Sequence, residues 1–133
     1  MKFIFVRHGK TQFNELNLTQ GWCDSPLSEI GEKQVYFTSE KLKSIPITKA
    51  FVSPLGRAVQ TAEIIMSHHS DVDLLQDVRL KEMSYGLFEG ISFDFVKSLH
   101  LESENCLEDL DMDYSKYKGE TLKQAIYRYN SFF

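Results

Sequence analysis

Residues 3–11, FIFVRHGKT, set four apolar residues directly before an arginine, a histidine and a glycine. A run rich in Phe, Ile and Val has the pattern of a strand buried on both faces. Side chains just past such a strand lie at the carboxyl edge of a sheet, where open α/β sheets bind their ligands. Arg7-His8-Gly9 alone does not separate a ligand site from a strand that merely ends in polar residues, so the rest of the chain has to decide.

Working outward from that strand, Ser28 has the place of a cap for a helix running to about Lys43, with Ile30, Val35, Thr38 and Leu42 on one face. Gly31 weakens that helix near its start. Ile45-Pro46 breaks it, and Lys49-Ala50-Phe51-Val52 reads as a second buried strand. Ser53-Pro54 then predicts a helix start, a capping hydroxyl followed by proline at the first helical position. That helix carries Ala58, Thr61, Ala62 and Ile65 inward and ends near His68-His69, and Val72 to Leu75 reads as a third short strand. The β, α, β, α, β order predicts an α/β fold, a mainly parallel sheet flanked by helices on both faces. Further on, Lys81 to Gly90 reads as a loop and Ser92 to Leu99 as a short helix. Thr121 and Gln124 have capping-box spacing ahead of a helix with Leu122, Ala125, Ile126, Tyr129 and Phe133 as its apolar stripe.

The totals narrow the class. At 133 residues and 42% apolar, residues 1–133 read as a single domain with a real core. A net charge of −4 supplies no general basic field for nucleic acid, so an anionic ligand needs a local cationic site. Two cysteines, Cys23 and Cys106, make no disulfide framework, and the expectation is a reduced, cytoplasmic protein. No run approaches the roughly 20 apolar residues of a membrane span. Six acidic residues between Glu102 and Asp113 form a patch without a basic member. The spacing of Asp109, Asp111 and Asp113 is similar to a calcium loop, but Tyr114 stands where such a loop needs glycine, so the patch reads as a solvated lid or insertion.

Three places bring chemistry to the same sheet edge: Arg7-His8-Gly9, Ser53-Pro54-Leu55-Gly56-Arg57, and Glu82 in LKEMSYG. Arg57 falls in the first turn of a helix, where backbone N–H groups and the positive dipole end favour an anion. Two guanidinium forks, an imidazole and a carboxyl group are the parts needed to move a phosphoryl group without a metal. The forks bind phosphate oxygens in bidentate fashion. A neutral imidazole nitrogen attacks phosphorus, and a protonated carboxyl gives its proton to the departing alkoxide.

RHGKT with Asn14, QGWCDSPLS from Gln20, SPLGRAVQTA from Ser53, KEMSYGLFEG from Lys81, and Gly119-Glu120-Thr121 with Arg128 together resemble the histidine phosphatase (phosphoglycerate mutase-like) superfamily. The resemblance implies that His8 is the nucleophile, that Arg7 and Arg57 hold the phosphate with Asn14 and Thr11 assisting, and that Glu82 is the proton donor. It also implies that Gln20 and Gly21 line the substrate side, that no metal or other cofactor takes part, and that the partner is a small phosphorylated metabolite. FEG after Glu82 is closer to the phosphatase branches than to the glycolytic mutases.

The superfamily's second histidine, in a Ser-His-Gly-like turn, is expected beyond Arg128, and the sequence stops at Phe133. The expectation is therefore a domain incomplete at its C-terminal end, without its last strand or strands, whose exposed sheet edge could pair with a second copy. His68, His69 and His100 read as surface or helix-end residues rather than substitutes. Three functions follow as expectations: a phosphomonoester hydrolase working through phosphohistidine on His8, its activity impaired by the missing second histidine; a phosphoglycerate mutase; or a non-catalytic phosphoester-binding remnant.

Overall fold

The computed structural model describes residues 2–101 and 113–133. Helix α1 (Gln12–Glu15) is a single turn opened by a capping box, in which Thr11 and Asn14 exchange side-chain and backbone bonds. Helix α2 (Glu29–Leu42) starts where the sequence places it, with the Ser28 hydroxyl accepting from the Gly31 N–H. Strand β1 (Ala50–Val52) leads into helix α3 (Gly56–Met66), which crosses to strand β2 (Leu74–Gln76). The two strands pair in parallel with Ala50 opposite Leu74 and Val52 opposite Gln76, so the β-α-β unit is present as expected. Helix α4 (Phe93–Leu101) and helix α5 (Leu122–Asn130) follow, α5 behind a complete Thr121–Gln124 capping box.

The core has two centres. Leu27, Val35 and Ile65 pack between α2 and α3, while Met83, Phe88, Val96, Tyr114 and Ala125 gather the second half of the chain. The Val, Leu, Ile, Phe and Met side chains among them each contribute about 1.5–3 kcal/mol by leaving water. Among the described residues no helix is long and apolar enough to cross a membrane.

Four expectations need correction. Phe3–Val6 is not a buried strand: it belongs to no ladder among the described residues, and Phe5 is 78% exposed. An apolar run becomes a buried strand only where a neighbouring strand takes its N–H and C=O groups; here Phe3 and Phe5 instead make ring contacts with Phe133. In α2, Ile30 faces solvent while Gly31, Val35 and Ser39 are buried. Gly31 is there because the Lys10 carbonyl lies where its Cβ would be, so the apparent weak point is a contact that only glycine permits. The apolar stripe of α5 is narrower than predicted, with Ala125 buried but Ile126 and Phe133 exposed. The Ser53 cap is absent: Leu55 holds the N-cap position of α3, and Asp24 takes its first N–H groups. The acidic stretch lies outside the described residues except for Asp113, which caps the turn at Ser115.

Candidate active site

The turn after Val6 is held against the two long helices. Gly9 sits so close to α2 that a Cβ would meet the Gly31 oxygen at 2.6 Å and the Val35 side chain at 2.7 Å. Its N–H donates to the Thr61 hydroxyl (3.1 Å), which in turn donates to the Arg57 carbonyl (2.8 Å). The buried hydroxyl of Thr61 thus couples the histidine turn to the first turn of α3.

His8 is half-buried. Its Nδ1 lies 2.8 Å from the Gly9 carbonyl, an acceptor, so Nδ1 carries the hydrogen and Nε2 keeps its lone pair. Burial lowers the imidazole pKa below its ordinary 6.5; the Gly9 bond opposes this, Arg57 and Arg7 add to it, and Glu82 opposes it. The charges of Arg57, Arg7 and Glu82 therefore all act on one imidazole, and the balance favours its neutral form.

Arg57 is only 2% exposed. Its guanidinium donates to the carbonyls of Gly21 (2.8 Å) and Cys23 (3.0 Å) and to Asp24 Oδ1 (3.2 Å). The Asp24 carboxylate also accepts from the backbone N–H groups of Gly56 and Arg57. Helix α3 is therefore capped from a distant loop, with Leu55 rather than Ser53 at its N-cap and Gly56 as its first residue. The first two N–H groups expected to receive an anion are taken by a side chain of the same protein.

The remaining residues named from the sequence divide between the site and its frame. Arg7 is exposed and makes no hydrogen bond or ion pair with the described residues. Glu82 is exposed; its Oε1 accepts from the Met83 N–H at 2.8 Å. Thr11 is fully buried in its capping box, whereas Asn14, the other half of that box, is exposed. Gln20 is buried and receives a long bond from the Ser25 hydroxyl (3.4 Å). Gly21, at φ +58°, turns where a Cβ would strike Glu89. Arg79, three residues before Glu82, is committed to its neighbour: its fork grips Asp77 at 2.5 to 3.1 Å and holds that carboxyl down to about 2. His69 is buried rather than on the surface, and His68 lies 3.3 Å from Glu40. Among the described residues no cluster of three or more His, Cys, Asp or Glu side chains could hold a metal.

Besides Asp24, sequence reasoning missed two carboxylates that build the frame. Glu89 accepts from the N–H groups of Trp22 (2.9 Å), Cys23 (2.6 Å) and Tyr85 (3.1 Å) and from the Ser84 hydroxyl (3.1 Å), tying the Gln20 loop to the Glu82 loop. Glu120 pairs with Arg128 at 2.8 Å and accepts from the Ser84 N–H at 2.9 Å. FEG and GET placed both inside motifs, but not their partners.

A half-buried imidazole on which the charges of two arginines and a carboxylate act thus accompanies a β-α-β unit. The family model described as the histidine phosphatase superfamily (branch 1) matches residues 3–133, and the chain belongs to that superfamily. It is 38% identical over 132 residues to "Fructose-2,6-bisphosphatase TIGAR B" of Danio rerio, covering 96% of this chain and 49% of that protein. It is 35% identical over 134 residues to "Probable phosphoglycerate mutase GpmB" of Escherichia coli, covering 98% of this chain and 60% of that one. Among solved structures, phosphoglycerate mutase from Bacillus anthracis superposes with a TM-score of 0.85 at 27% identity, over 93% of this chain and 62% of that one. A mycobacterial glucosyl-3-phosphoglycerate phosphatase gives 0.79 at 26%, over 94% and 61%. The α/β fold expected from sequence is thus the fold of phosphoglycerate mutase-like proteins, and the chain spans about half to three-fifths of the length of these relatives.

Proposed function

We propose that this chain carries the nucleophile and phosphate-holding half of a phosphomonoester hydrolase that works through phosphohistidine on His8. The observation that carries the reading is the state of His8, held neutral with Nδ1 tied to the Gly9 carbonyl and Nε2 free, under the charges of Arg7 and Arg57.

In the first step Nε2 of His8 attacks phosphorus as the ester P–O bond breaks, and the protonated Glu82 carboxyl gives its proton to the leaving alkoxide. Arg7 and the remaining donors of Arg57 hold the phosphoryl oxygens, with Asn14 at the rim. Thr11, Gln20 and Gly21 act from behind, shaping the loops that carry these groups. In the second step the Glu82 carboxylate takes a proton from water, the water oxygen attacks phosphorus, and the P–N bond breaks to return neutral His8 and phosphate. The ligand class is a small phosphorylated metabolite.

The mutase reading rests on the names of two relatives and differs in one respect, since the phosphoryl group on His8 returns to an isomer instead of passing to water. One assay separates the readings. Phosphate release from an aryl phosphate and from 3-phosphoglycerate is measured with the unaltered chain and with His8→Ala. Release that disappears in His8→Ala supports the hydrolase, isomer formation without release supports the mutase, and silence with retained phosphate binding supports a phosphoester-binding module.

A further inference from the structure

We infer that Arg128, braced by Glu120, is the positioning residue that fixes the place of the Glu82 carboxyl. The inference rests on the proposed role of Glu82 and concerns what holds that group in place.

Residues 81–84 form neither helix nor strand, so their backbone groups find no partners in regular structure. Side chains supply them, Arg128 foremost. The Arg128 guanidinium donates to the carbonyls of Arg79 (2.8 Å), Lys81 (2.7 Å) and Glu82 (3.2 Å), and grips both oxygens of Glu120 at 3.0 and 2.8 Å. Glu120 closes the other end: its Oε2 accepts from the Ser84 N–H and its own N–H donates to the Ser84 carbonyl, both at 2.9 Å. The Tyr129 hydroxyl adds a bond to the Lys81 carbonyl (2.9 Å), and the Trp22 indole adds one to the Glu82 carbonyl (2.7 Å).

The carboxyl of Glu82 is in turn bonded to the N–H of Met83, the residue between the two ends of this clamp. Its place is therefore set by its own backbone, and that backbone is set by Arg128 and Glu120. A planar guanidinium with five donors can bridge three carbonyls and a carboxylate at once, which an ammonium on a flexible stem cannot do. The ion pair is largely shielded, with 16% of each side chain exposed, so its geometry is little eroded by water. Displacing a catalytic group by about 1 Å costs on the order of 10²-fold in rate, which is the scale of effect a loosened clamp would have.

The test uses the full chain and a readout that needs no turnover. Glu82 raises the His8 pKa, so the His8 ring titration followed by NMR reports how near that carboxylate stands. Glu82→Gln should lower the His8 pKa, Arg128→Lys should lower it in the same direction by less, and Arg128→Lys should add nothing on the Glu82→Gln background. With phosphate esters, Arg128→Lys should slow those with poor leaving groups by up to about 10²-fold and barely change activated aryl esters. Circular dichroism checks the fold, and Glu120→Gln, which keeps the arginine, carries the same measurements if Arg128→Lys does not fold. A His8 titration unchanged in a folded variant, or lowered equally with and without Glu82, overturns the assignment. An unmodified His8 after exposure to phosphoester would instead defeat the hydrolase reading while leaving the NMR comparison intact.

Discussion

Arg7 and Arg57 both depress the His8 pKa, but they are placed very differently: one is exposed and unpaired with the described residues, the other buried and bonded to three oxygens. Arg7→Gln therefore changes charge with little change of structure, and His8 should titrate at a higher pH in that variant, measured on its ring protons. An unchanged or lower value would contradict the placement of Arg7. Stability should follow the same proton. Because the folded value lies below 6.5, the unfolded chain binds a proton more readily. The His8 contribution is thus whole above that pH and is lost as pH falls through the folded value, and His8→Asn should flatten this part of a denaturation-versus-pH curve. At this scale the sequence was legible for the reacting groups, because Arg7, His8, Arg57 and Glu82 stand in local motifs. It was not legible for Asp24, Glu89 and Arg128, whose roles come from partners more than 30 residues away.

Helix α2 shows how an element can be read correctly for the wrong reason. Its limits followed from Ser28 and Pro46, yet its inner face is Gly31, Val35 and Ser39, because the histidine turn presses its backbone onto the helix. Gly31→Ala would put a methyl group into the Lys10 carbonyl. That overpacking should cost about 1–3 kcal/mol in a urea denaturation series and weaken inorganic phosphate binding, whereas Ile30→Ala, on the exposed face, should leave both within error. Helix α3 makes the complementary point. A local rule put its cap at Ser53, but a carboxylate with two acceptor oxygens, delivered by the Gln20 loop, took the N-terminal N–H groups instead. Asp24→Ala should cost about 1–2 kcal/mol as a lost cap and also free an Arg57 donor. Unchanged stability in that variant would show that the cap is water-exchangeable and energetically idle.

Across the whole molecule, the β-α-β order was plain in the hydrophobic pattern, while the state of Phe3–Val6 was not, because apolar composition says nothing about which neighbour supplies the ladder. The exposed rings of Phe3, Phe5, Phe51 and Phe133 lie in a run of aromatic contacts, Phe51 and Phe133 both packing against Phe132. Contiguous apolar surface of this kind drives association. Sedimentation velocity should show the mean mass of this chain rising with concentration, and Phe5→Lys should suppress the rise; a concentration-independent monomer would contradict it. Superfamily membership and fold unite these observations, and the chemistry assigned to them turns on His8. The most direct measurement is tandem mass spectrometry of the chain after brief exposure to a phosphate ester, under conditions that preserve acid-labile phosphoramidates. The account predicts a phosphoryl group on His8 that is absent from His8→Ala. Phosphate release that continues in His8→Ala, or a phosphoryl group found on any other residue, would contradict it.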